Sequence, residues 1–165
     1  RNVGQVPVYY NFKNTGRPST SIEQVTNSGY ADVENSPLYS FGYGLSYTEF
    51  KYSDFEISSS NMTKDSKINA SIRVTNTGKF KGEEVVQLYL RDIVGSIARP
   101  MKELKGFKKI ELNPGESKIV NFEIENSLLE FYSYNNIWES EPGKFHVFIG
   151  TDSNVKDYKE FYLTD

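Results

Sequence analysis

From residue 50 onward, apolar and polar side chains alternate in short runs. Ile68, Ala70, Ile72 and Val74 are interleaved with Asn69, Ser71, Arg73 and Thr75. A period of two places each set on its own face of a strand. The run Asn76-Thr77-Gly78-Lys79, with Gly82 close behind, carries the residue types that let a chain reverse. A second strand resumes at Glu84, with Val86, Leu88 and Leu90 on one face and Val85, Gln87, Tyr89 and Arg91 on the other. A helix would scatter these apolar positions around its circumference. A sheet collects them on a core face and leaves the opposite face to water.

The same reading predicts strands over residues 55–58, 102–112 (with Gly106 as a bulge), 119–124, 145–149 and 158–163. Residues 128–138 are aromatic and predict short strands around Asn135-Asn136. Asn113-Pro114-Gly115-Glu116 and Glu141-Pro142-Gly143 read as Pro-Gly turns. Near the N-terminus, Val6, Val8, Tyr9 and Tyr10 predict a short strand, with Pro7 at a sheet edge or strand start. Residues 12–34 show no sustained period and read as a long loop, with room for a helical turn over 22–25. A loop of that length is uncommon inside one compact domain, so the segment is expected to belong with another one. About seven main strands and no strong helix predict an all-β, immunoglobulin/fibronectin type III-like β-sandwich. The Cys–Trp–Cys signature of antibody domains is absent.

Composition narrows the function classes. The chain has 165 residues, no cysteine and a formal net charge of −3 with both signs dispersed. Thiolate catalysis and Cys-ligated zinc are excluded. No basic stripe suits a nucleic acid, and no apolar run reaches the ~20 residues of a membrane helix. The start at Arg1 and the lack of a signal-like stretch suggest a piece of a longer protein. Cytoplasmic, periplasmic and secreted locations all stay open.

Candidate chemistry is sparse. His146, the one histidine, falls on the strand face opposite Phe145, Val147 and Ile149, and reads as a half-exposed strand residue. Glu83, Glu84, Asp92 and Glu103 lie on strands or strand ends; no pair among them is specific enough for a glycosidase pair, and a solvated sheet face is the favoured reading. Asp152-Ser153-Asn154 lacks the spacing of a calcium loop, so no metal or cofactor is expected. Asn61-Met62-Thr63 and Asn69-Ala70-Ser71 fit the N-glycosylation pattern. The aromatic series Tyr39, Phe41, Tyr43, Tyr47, Phe50, Tyr52 and Phe55, with Gly42 and Gly44 among them, is either a sugar platform or packing for a neighbouring domain. The packing reading is favoured, because a glycine-bearing loop conforms to a partner better than it holds a rigid platform.

These motifs also carry a resemblance. Residues 3–11 with Lys13-Asn14-Thr15-Gly16-Arg17-Pro18, then Asn35-Ser36-Pro37-Leu38-Tyr39 and Phe41-Gly42-Tyr43-Gly44-Leu45-Ser46-Tyr47-Thr48, resemble the C-terminal part of family 3 glycoside hydrolases. Residues 74–78, 82–89, Arg99-Pro100, 102–107 and 114–117 resemble the fibronectin type III-like domain that ends many of those enzymes. Ser40 departs from the proline common there. The resemblance implies a retaining β-glucosidase or β-xylosidase whose barrel and α/β domains hold the nucleophile and acid/base. The Ser-Asp-Trp motif of the nucleophile is absent, and no catalytic residue carries over. Residues 1–48 would be the end of the α/β domain plus a linker, and 49–165 the accessory domain. The partners implied are the catalytic domains of the same polypeptide and, through them, an oligosaccharide or β-glycoside. If residues 6–10 are a strand of the α/β sheet, Lys13 and Arg17 would border the sugar cleft; a plain surface loop is the favoured reading, because an edge strand can run antiparallel. A carbohydrate-binding module and a stand-alone adhesion-type sandwich are the alternatives for the whole chain.

Overall fold

The computed structural model describes residues 2–14, 30 and 33–165. Two sheets pack face to face. The smaller has the order β1 (Phe50–Ile57), β3 (Ile68–Asn76), β6 (Ser117–Ile124). The larger runs β2 (Asn61–Thr63), β10 (Lys159–Thr164), β9 (Gly143–Gly150), β4 (Gly82–Asp92), β5 (Glu103–Leu112). All neighbours are antiparallel except β2 on β10. Between β6 and β9 lie a 3-10 turn, Asn126–Leu128, and a small hairpin of β7 (Phe131–Tyr132) and β8 (Trp138–Glu139). This is the all-β sandwich the alternation predicts.

The core fills the space between the inner faces. Ile68, Ala70, Ile72 and Val74 of β3 meet Val86, Leu88 and Leu90 of β4 in one cluster. Val120, Phe122 and Ile124 of β6 join them, with Phe145, Val147 and Ile149 of β9 and Phe161 and Leu163 of β10. Phe145 and Phe161 stack with centroids 5.3 Å apart. Burial of this set is the main stabilising term.

Some expectations are corrected. β1 opens at Phe50, five residues before the predicted start. A bulge follows Ser53, where Asp54 takes a φ of 53° and accepts from Arg73 Nε at 2.7 Å. That kink interrupts the alternation and hides the first half of the strand from a period-two reading. Residues 6–10 form no strand, because no described segment offers them a ladder; Val6 N–H donates to the Tyr30 hydroxyl instead. The bulge in β5 lies beside Gly106, where Lys105 has no partner opposite Leu88 and Tyr89. Gly115 has the positive φ of its turn (77°), but Gly143 does not and opens β9 directly. Most of the predicted 12–34 loop, including the turn over 22–25, lies outside the described residues.

The largest correction concerns the outer face of the five-stranded sheet. Gln87 and Tyr89, assigned to water by the alternation, are 4% and 0% exposed. Residues from before β1 cover them.

Candidate functional site

The segment ahead of β1 crosses that outer face from one end of the sandwich to the other. At its first end, Met101 N–H donates to the Phe12 carbonyl at 2.8 Å, and Lys13 bridges Pro100. Tyr10 lies edge-on to Tyr89 with centroids 6.3 Å apart, and Phe41 stacks on Tyr10 at 4.0 Å and 13°. In the middle, Gln87 Nε2 donates to the carbonyls of Gly42 (3.1 Å) and Thr151 (2.5 Å). Tyr89 donates its hydroxyl proton to Gln87 Oε1, fixing the amide's orientation. Ser153 N–H donates to the Phe41 carbonyl at 2.9 Å. At the far end Thr77 N–H donates to the Glu49 carbonyl at 2.8 Å, and Thr48 Oγ1 donates to Asn76 Oδ1 at 2.7 Å.

Two glycines permit this approach. Gly42 has a φ of 83°, and a Cβ there would sit 2.1 Å from Gln87 Oε1. Gly78 has ordinary φ but faces Thr48, whose Oγ1 would lie 2.2 Å from an added Cβ. Asn76 is fully buried and fully used. Its Nδ2 donates to the carbonyls of Phe80 and Leu112, and its Oδ1 accepts from Thr48 and from Gly78 N–H.

Lys102 holds the loop after β9 against the same strap. Its Nζ donates to the carbonyls of Ser153 and Val155 and lies 4.3 Å above the Phe148 ring. Burial, with help from nearby Lys156, pulls its pKa down to about 8.

The sequence-predicted site residues divide. Tyr39 and Tyr43 stack on each other at 5.2 Å, both exposed, and Tyr47 is 98% exposed. Phe41 turns one face to Tyr10 and keeps the rest in water. Lys13 is exposed at its bridge to Pro100, and Arg17 lies outside the described residues. His146 accepts or donates to Glu160 at 3.0 Å and stacks on Tyr158 at 4.0 Å; burial lowers its pKa while Glu160 opposes the shift.

The carboxylates are engaged one by one. Glu83 pairs with Lys109, and Glu84 accepts from the Tyr52 hydroxyl, whose pKa burial and that carboxylate raise. Asp92 is buried, contrary to the solvated-face reading. It turns inward with the core residues of β4 and lies 3.8 Å from Arg99, which also pairs with Glu103 at 2.8 Å. Burial raises the Asp92 pKa and Arg99 works against it. Among the described residues, no group of His and acidic side chains is arranged to hold a metal ion.

The functional groups that sequence reasoning missed are Gln87, Tyr89, Asn76 and Lys102. An aromatic and an amide on the nominally wet face of a central strand were the available signal.

A three-on-five sandwich, antiparallel but for β2 on β10, with its outer face strapped by the incoming chain defines a fibronectin type III-like accessory module. The sequence profile of the fibronectin type III-like domain matches residues 84–153. The chain is 53% identical to the periplasmic β-glucosidase of Salmonella typhimurium over 93% of its own length and 20% of that protein's. It is 48% identical to a putative β-xylosidase of Formosa agariphila, over 97% of the chain and again 20% of the relative. The crystal structure of a β-glucosidase from Listeria innocua in complex with glucose superposes with a TM-score of 0.88 at 39% identity, over 98% of this chain and 23% of that one. This chain belongs to family 3 of the glycoside hydrolases, as their C-terminal region with its fibronectin type III-like domain. It spans about a fifth of the length of the curated relatives it matches.

Proposed function

We propose that this chain is the non-catalytic accessory region of a retaining β-glucosidase and acts by bracing that enzyme's catalytic domains. In this reading residues 1–48 are the end of an α/β domain plus its linker, and 49–165 are the sandwich. The observation that carries it is the strap. The incoming chain is bonded to the sandwich near Pro100 and Met101, at Gln87 and at Asn76. A linker fastened along its length transmits orientation, whereas a free one does not. The exposed rings of Tyr39, Tyr43 and Tyr47, with the free side of Phe41, are the surface that contacts the preceding domains. With residues 6–10 outside any strand, the premise for a place at the sugar-cleft rim is gone, and Lys13, exposed at its bridge to Pro100, reads as a surface-loop residue. The substrate class is a β-glycoside, in keeping with the names of the relatives and with the glucose and laminaribiose bound in the Listeria innocua enzyme.

Deleting residues 49–165 from the longer polypeptide tests this. The expected outcome is a lower melting temperature together with loss of aryl β-glucoside hydrolysis. An unchanged melting temperature with full activity would overturn the bracing role.

A further inference from the structure

The β7–β8 hairpin presents an aromatic surface that the accessory role just described does not use. Tyr132 and Trp138 pair across the strands with rings 5.9 Å apart at 65°. With Tyr134 (80% exposed) and Ile137, they leave Trp138 68% exposed at the tip. Between Glu130 and Glu139 there is no charged residue. Aromatic rings without charges are the composition of an interface core.

The hairpin is built to stay in one shape. Ser133 N–H donates to the Ile137 carbonyl and Asn136 N–H to the Ser133 carbonyl. Asn136 takes the left-handed φ of 60° that the turn needs, and Asn135 Nδ2 donates to Glu139 at 3.1 Å. Tyr132 set edge-on fixes the Trp138 plane. A preorganised aromatic surface loses little side-chain freedom when it is covered.

Its position says what covers it. Phe131, at the base of the hairpin, is buried under the Arg99 guanidinium at 4.5 Å. Ser96 N–H donates to Glu141 at 2.8 Å on the other side of the base. Pro100 and Met101, which follow Arg99 directly in the same loop, are the residues that pair with Lys13 and Phe12 of the incoming chain. One loop therefore fixes both the hairpin and the point where the preceding polypeptide arrives. Relatives carry about four fifths of their length outside the matched region.

We infer that the β7–β8 hairpin is a second docking surface, with Trp138 and Tyr134 seated against the catalytic domains that precede this chain; the inference rests on the accessory-region reading above. Hydroxyl-radical footprinting tests it by comparing the longer polypeptide with the 165-residue chain. Oxidation of Trp138 and Tyr134 is expected to slow about fivefold or more in the longer polypeptide, since a ring in an interface core loses its water. If Tyr39 and Tyr43 slow but Trp138 and Tyr134 do not, the hairpin inference fails and the accessory reading stands. If none of the four slows, both fail. Protection of Trp138 that grows with concentration of the 165-residue chain alone would overturn the inference in favour of a second copy. Protection that needs added laminaribiose would overturn it in favour of a sugar.

Discussion

Asn76 concentrates much of the fold's specificity in one amide. It is buried at the end of β3, donates to two carbonyls and accepts from Thr48 and Gly78. Replacing it by Asp keeps the shape but points a carboxylate oxygen at two carbonyl oxygens. Asn76→Asp is expected to cost about 3–5 kcal/mol, the range for an uncompensated buried charge, in urea unfolding of the chain. Lys102 gives a prediction in the other direction. Its folded pKa, about 8, is below the usual 10.5, so the folded state binds the proton less tightly than the unfolded chain. Its stabilising contribution is full above pH 10.5 and is lost as pH falls through 8. The neutral amine still has N–H groups for Ser153 and Val155. The melting temperature of the protein is therefore expected to gain on that of Lys102→Met between pH 8 and 10.5. After allowance for solvent screening this is worth on the order of 1 kcal/mol. At this scale the sequence was least legible. Asn76 read as a turn residue and Lys102 as the start of a strand, because their partners come from segments remote in the chain.

At the scale of elements, alternation was a sound guide wherever a strand has one wet face. β3, the inner face of β4 and β6 from Val120 onward follow it residue by residue, with Ile119 left exposed. It failed where both faces are covered. Gln87 and Tyr89 look polar-facing in the sequence, yet the strap buries them. It failed again at β1, where the Asp54 bulge resets the period. The strap was visible only as a glycine-bearing aromatic loop in search of a partner. Part of that partner is the chain itself: Phe41 stacks on Tyr10 of the same strap, and Gly42 accepts from Gln87 of the sheet. Phe41→Ala removes the stacked ring while leaving the strands intact. Hydrogen exchange is expected to accelerate at Ser153, whose N–H donates to the Phe41 carbonyl, while Leu88 in β4 stays protected. Equal exchange at Ser153 in both proteins would mean that the ring does not hold the strap.

The whole molecule joins a conventional sandwich to an unconventional entry. The core needs nothing from residues 2–14 or 33–49, since its cluster is drawn from the strands and their flanks. Those residues are nevertheless bonded across the sheet from Pro100 to Asn76. Such an arrangement suits a module that holds a neighbour in place more than one that works alone. The family was legible in the sequence because its motifs are turn and strap residues of fixed geometry, such as Thr77-Gly78 against Thr48. The most direct test is calorimetric unfolding of the longer polypeptide carrying Gly42→Val. The substitution puts a β-branched side chain at a φ of 83° and drives its Cβ into Gln87, so the strap must lift. The account predicts that one cooperative transition separates into two, as the sandwich unfolds independently of the domains before it. A single transition at an unchanged temperature would contradict it.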